Sequence, residues 1–274
     1  MSTLRLTPVV CLCAFLAVVS VPSQPAFGST MVQLDDLNSH VEFETDSGQT
    51  VWIVDKVSQL KQQWFYYRLD GMTEELPLSG LGYFNHKAVD ANFNDGDDTL
   101  TVIYGQPIGF SVTLAYLLNG GLDGTLKSDL VETISFHNLT GQPVHLQFFQ
   151  YCDFDLGGTS GGDTVEIVNP NAVRQSDALI MVAETVLTPV PTRTEVGVYD
   201  STLLKLNDEF ADMLDNTTGP IGPDDVTWAF QWDLTVPVGG TVQISKDKNI
   251  TPEPATLALM GLGGLGLVLS RKRR

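Results

Sequence analysis

Between residues 226 and 236 every even position is apolar: Val226, Trp228, Phe230, Trp232, Leu234 and Val236. Most of the odd positions between them are polar (Thr227, Gln231, Asp233, Thr235). A period of two describes a strand with one buried and one wet face, and no helix satisfies it. Residues 51–57, 64–69, 100–104, 110–118, 130–136, 144–151, 165–168, 179–187 and 242–245 are similar short runs of Val, Ile, Thr and aromatics. Turn residues part them: Asn119-Gly120-Gly121 with Asp123-Gly124, the stretch 138–143, and Gly239-Gly240. The expectation is a mainly β body, an antiparallel sandwich enlarged beyond the seven-stranded minimum. The crossover helices of a parallel α/β fold are missing. One short amphipathic covering helix is expected from Ser201 to about Leu214. There Leu203, Leu206, Phe210, Met213 and Leu214 recur at helical spacing, with Asp200 or Ser201 as cap.

The two ends of the chain carry a different pattern. Arg5, an apolar stretch over 9–21, Pro22 and then Ala26-Phe27-Gly28 read as a secretory signal peptide over 1–28, cleaved before Ser29. The stretch falls short of the ~20 residues of a spanning helix, so an uncleaved anchor is the weaker alternative. At the other end Pro252-Glu253-Pro254 precedes an apolar run over 255–270, rich in Leu and Gly, and then Arg271-Lys272-Arg273-Arg274. Glycine is tolerated in membrane helices, and the basic cluster would hold its end in the cytoplasm. The body between the two ends, over 29–250, would then lie outside that membrane.

The order of acid between prolines, membrane helix and basic tail over 251–274 resembles the PEP-CTERM sorting signal of exported bacterial proteins. The resemblance implies an exosortase-type membrane protease as partner and a precursor anchored in the inner membrane by its C-terminal helix. It also implies delivery to the cell envelope or extracellular matrix, commonly beside exopolysaccharide. The chemistry is consistent: a residue before proline avoids the helical region, so Glu253 is presented on extended backbone, as a protease cleft requires. A plain single-pass anchor is the alternative. The stretches 131–156 and 222–248 resemble large β-supersandwich proteins, a likeness that brings no activity with it.

The chain has 33 acidic and 15 basic residues, a net charge of −18. Arg5 and the terminal four basic residues lie in the end segments, so the body is more acidic still. Such a surface excludes nucleic acid as a partner and suits solvation, or divalent cations. Cys152 is the one cysteine outside the signal peptide, so no internal disulfide is available. Its apolar surroundings make it a buried small hydrophobe.

Candidate chemistry is sparse. Asp90, Asn92, Asn94, Asp95 and Asp97 place oxygen donors around Gly96, a composition that suits calcium. The glycine falls one place late for an EF-hand loop, and Thr101 occupies the position of the bidentate acid. An acidic surface turn is the preferred alternative. The Gly-rich acidic loop 153–163 could hold an ion or shape a glycan groove, but reads more simply as a flexible loop. His40, His86, His137 and His145 lack metal-ligand spacing. Trp228 and Trp232 fall in phase on one strand face, which favours a core role over a sugar-stacking platform. The expected body is therefore non-enzymatic, a structural or interaction module with no cofactor beyond calcium. A carbohydrate-binding module retained in extracellular polysaccharide and a secreted glycan-active enzyme are the alternatives.

Overall fold

A computed structural model describes residues 29–93, 96–106 and 108–253. The chain begins with β1 (Met31–Asp36), β2 (Ser39–Glu44), β3 (Gly48–Val54), the short β4 (Val57–Ser58), β5 (Leu60–Leu69) and the short β6 (Leu76–Pro77). Next come β7 (Tyr83–Val89), β8 (Thr99–Gly105), β9 (Phe110–Gly120), β10 (Ser128–Asn138) and β11 (Val144–Phe154). They are followed by β12 (Asp163–Asn169), β13 (Ala172–Ser176), β14 (Ile180–Thr188) and β15 (Arg193–Val198). Helix α1 (Ser201–Leu206), β16 (Ile221–Asp224), β17 (Val226–Val236) and β18 (Thr241–Pro252) complete the described residues.

These strands form two antiparallel sheets. One runs β1-β2-β3-β5-β11-β17-β15, with β4 on β3 and β6 on β5. The other runs β16-β12-β13-β14-β18-β10-β9-β8-β7. The body is thus the expected enlarged antiparallel sandwich, although the face of β17 expected to be wet is covered too: Thr227, Ala229 and Gln231 are buried like the apolar residues between them. Several strands lie outside the expected runs. In β1 and β2 the alternation is intact, burying Val32, Leu34 and Asp36 and then Ser39, Val41 and Phe43, but the strands are short and two of those buried residues are polar. The edge strand β7 is largely exposed and carries His86 and Lys87, a composition that discourages pairing with another chain.

Aromatic rings fill the space between the sheets. Phe65 stacks on Phe148 at 5.3 Å, Phe136 meets Phe148 edge-on at 4.9 Å, and Phe154 stacks on Trp228 at 5.1 Å. All four tryptophans are buried. Each such side chain contributes roughly 1.5–3 kcal/mol by leaving water.

The covering helix stops after Leu206, short of the expected Leu214. The reason lies in competing side-chain acceptors beneath it. Glu75 accepts the Asp212 N–H at 3.1 Å, Gln231 Oε1 accepts that of Leu214 at 3.0 Å, and Glu195 accepts that of Asp215 at 3.0 Å. These donors are taken by side chains of β15, β17 and the loop before β6, and no further helical turn forms. Phe210 and Met213, which shared the helical spacing, are left exposed.

Candidate functional site

The largest departure from an apolar core lies midway between the sheets. Register sets Glu132 on β10 opposite Lys246 on β18, and Glu184 on β14 opposite Lys248. All four side chains are buried. Lys248 Nζ reaches Glu132 at 2.6 Å and Glu184 at 3.9 Å; Lys246 pairs with Glu132 and lies 3.5 Å from Glu184. From the opposite sheet Gln150 accepts from Lys246 at 2.6 Å and donates to Glu184 at 2.7 Å, and Gln63 bonds to Glu132 and Lys248. Burial opposes the charge on Glu132, but the two ammonium groups outweigh it and hold its carboxyl well below the usual range. Burial likewise pushes the Cys152 thiol, beside Gln150, far up. Two carboxylates balance two ammoniums behind closed walls, so this cluster ties the sheets together and offers no substrate a way in.

An open site lies elsewhere, at one end of the first sheet. Three turns meet there: β1–β2, β3–β4 and the β9–β10 connection. They enclose an open cleft of about 440 Å³ lined by Asp35, Asn38, His40, Asp55, Lys56 and Asp123 among others. Leu37, Asp55 and Lys56 hold φ angles of 52°, 49° and 71°, a region that non-glycine residues seldom visit. Hydrogen bonds fix the turns. The Asp55 carboxylate accepts the N–H groups of Gly124 and Leu126, both at 2.7 Å, and Asn38 Oδ1 accepts that of Gly121 at 2.8 Å. Gly120 donates to Asp36 at 2.6 Å. Asp35 and His40 are direct cross-strand partners, with His40 Nδ1 2.7 Å from Asp35 and Nε2 3.2 Å from Glu42. Partial burial disfavours the charged imidazole, but the two carboxylates overcome it and raise the His40 pKa above its ordinary value. An imidazole held between two carboxylates at the wall of an open cleft is suited to proton transfer. In the sequence His40 is marked only by its lack of metal-ligand spacing. The signal that could have found it is the Asp35–His40 pairing across a two-residue turn.

The acidic loop around Asp90 is held by its own turns. Asp90 accepts the Phe93 N–H at 2.6 Å, Asn92 donates to Asp36 at 3.0 Å, and the Asp97 carbonyl accepts from Asp35 at 2.8 Å. Asn94 and Asp95 lie outside the described residues. Among the described residues, a different acidic trio converges: Asp153, Asp155 and Asp225 bring carboxylate oxygens within 4.8 Å of one another. Burial first, then the negative charges of Asp155 and Asp225, push the Asp153 carboxyl up to about 7, against the pull of Lys61.

The sorting end joins the sandwich directly. Strand β18 runs through to Pro252, which is buried and pairs with Ile180 on β14. The Glu253 N–H donates to the Leu179 carbonyl at 2.9 Å. Pro254, the apolar run and Arg271, Lys272, Arg273 and Arg274 lie outside the described residues, as does the expected signal peptide. Among the described residues no helix is long and apolar enough to cross a membrane. Residues 251–274 match the family model of the PEP-CTERM protein-sorting motif.

The chain carries a PEP-CTERM sorting signal.

That signal implies an exported protein, processed by an exosortase from a membrane-anchored precursor. No curated protein matches the sequence. Solved structures with the same fold include a bacterial glucoamylase complexed with acarbose, at 11% identity and a TM-score of 0.55. That match covers 84% of this chain and 32% of the glucoamylase. A candidate aldose 1-epimerase from Escherichia coli K12 matches at 11% identity and a TM-score of 0.51, covering 82% of this chain and 99% of its own. A galactose mutarotase related enzyme from Lactobacillus acidophilus matches at 9% identity and a TM-score of 0.51, covering 83% and 98%. Identities this low establish the fold alone. They nevertheless overturn the expectation of a non-enzymatic body, because the absence of sequence motifs was its basis and the fold is one that enzymes use. The core role expected for the tryptophans holds: Trp52, Trp64, Trp228 and Trp232 are 0%, 3%, 0% and 1% exposed, so they form no sugar-stacking platform.

Proposed function

We propose that this PEP-CTERM protein takes a saccharide into the cleft between Asp35, His40 and Asp123, at the cell envelope or in the extracellular matrix. One observation carries the reading: the cleft is open, of ligand size and lined mainly by polar residues, with His40 bonded to Asp35 on its wall. Carboxylates, an amide and an ammonium group provide donors and acceptors for sugar hydroxyls. The shared fold with proteins whose names refer to glucoamylase, aldose epimerase and galactose mutarotase supports saccharide chemistry over other ligand classes. The Asp35–His40–Glu42 arrangement favours proton transfer at a sugar oxygen, the chemistry that anomer exchange requires. Pro252, Glu253 and Pro254 serve as the segment read by the sorting enzyme, and Arg271 to Arg274 hold the precursor's end in the cytoplasm.

The test is a panel of aldoses and short glucans presented to the purified mature protein. Binding is followed by saturation-transfer NMR and anomer exchange by polarimetry. Binding that disappears in Asp123→Asn, and exchange that disappears in His40→Ala, support the reading. Sugars that bind both variants as tightly as the parent would place the ligand elsewhere, and a parent inert to the whole panel would end the saccharide reading.

A further inference from the structure

The trio at the end of β11 and the start of β17 stands apart from the saccharide cleft and plays no part in that reading. Register sets Thr227 opposite Asp153, so both side chains leave the sheet on the same face. Thr227 is fully buried and its Oγ1 makes no hydrogen bond. The Tyr151 hydroxyl approaches it without achieving hydrogen-bond geometry. Asp153 is 2% exposed, and its Oδ1 has no partner; neither does Oδ1 of Asp225. Buried oxygens are normally paired, and each exception needs a cause. Here two carboxylates with an unpartnered oxygen converge with a third, and the unpartnered Thr227 hydroxyl stands on the residue paired with Asp153 across the strands. The positive group beside them is the exposed Lys61, which makes no hydrogen bond to any of them.

We propose that Asp153, Asp155 and Asp225, together with the Thr227 hydroxyl, bind a hard divalent cation of the calcium class. All four ligands are oxygens. Calcium accepts six to eight such ligands in loose geometry, so water can complete the shell around a three-carboxylate set. The cluster holds no imidazole or thiolate of the kind zinc and copper select. A bound ion also explains why three acids converge where the neighbouring positive group, Lys61, is exposed and bonded to none of them. It would clasp the end of β11 to the chain entering β17.

The experiment is calorimetric titration of chelator-treated mature protein with CaCl₂, and in parallel its melting temperature with and without the ion. Expected are one saturable heat and a rise in Tm, with calcium affinity at least tenfold weaker in Asp225→Asn and in Asp155→Asn. Asp155 is partly exposed, so that variant remains informative if the Asp225 change disturbs folding. A third variant, Asp90→Asn, separates this site from the loop near β8 and should leave affinity unchanged. No heat and no Tm shift up to roughly 10 mM calcium, ten times the weak end of extracellular sites, would overturn the proposal. So would calcium binding that is lost in Asp90→Asn and kept in Asp155→Asn.

Discussion

Replacing Glu132 by Gln keeps the shape of the buried cluster and removes one of its four charges. Lys246 and Lys248 would then share Glu184 alone, at 3.5 and 3.9 Å. One ammonium is left uncompensated in a closed interior, or must give up its proton to remain there. Breaking a buried ion pair in this way costs about 3–5 kcal/mol. Against a typical total of roughly 5–15 kcal/mol this is a large fraction. For a body of this size each kcal/mol moves Tm by roughly 2–4 °C, so the expected loss is on the order of 6–20 °C. Calorimetry and urea denaturation both measure it. The double variant Glu132→Gln, Lys248→Met restores neutrality, leaving Lys246 with Glu184 and its contacts to Gln150 and the Phe65 ring. It should recover roughly 1–3 kcal/mol of what the single change lost, a coupling typical of residues in contact. The reasoning fails if Glu132→Gln melts within about 1 kcal/mol of the parent, or if the two changes simply add.

Acid should stabilise the protein over part of the pH range. Burial, then Asp247, raises Asp129 to about 7, and burial raises Asp163 to about 6. With folded pKa values above the unfolded ~3.9, each binds its proton more tightly when folded, and stability falls as pH climbs through about 6 and 7. The raised pKa of His40 acts in the same direction. The urea midpoint should therefore be higher at about pH 5 than at about pH 8, and a midpoint rising over that interval would contradict the assignment. Gly120→Ala should destabilise the fold and weaken the cleft, because a Cβ there would lie 1.8 Å from the Asp36 carbonyl oxygen. The cost should exceed about 1 kcal/mol, and a crystal of the variant with the turns unmoved would disprove it. Ile180→Ala loosens the last β14–β18 pair and should speed removal of the tail in pulse-chase, since a protease needs Glu253 on free extended chain. An unchanged rate would mean the enzyme reads the motif while Pro252 stays docked. Glu253→Ala should keep the tail on the mature protein by intact mass; tail removal at the parental rate would mean that Glu253 is not the residue read.

Fold class was legible because its cause is local. Alternation such as that from Val226 to Val236 is a property of the chain, whatever packs against it. The same logic succeeded for Trp228, Trp232 and Cys152, whose apolar neighbours already implied burial. It failed for the stretch 207–214, where helical spacing was real but Glu75, Gln231 and Glu195 supplied stronger partners for the backbone. It also ended β18 near Ser245, because Lys246 and Lys248 look like solvent-facing residues. Only their register partners Glu132 and Glu184, far away in sequence, make them core residues.

The sorting signal, the β architecture and the acidity belong to the sequence itself. A three-part tail, a period of two and a charge count are all fixed by residues that are neighbours in the chain. The cleft around His40, the neutral cluster between the sheets and the Asp153–Asp155–Asp225 trio arise only on folding. Each joins strands that are distant in sequence, and electrostatic and hydrogen-bond energies depend on separations in space. Even the tail shows this division. Its motif is plain in the sequence, yet only the structure reveals that Pro252, the first residue of that motif, is the last buried residue of a strand.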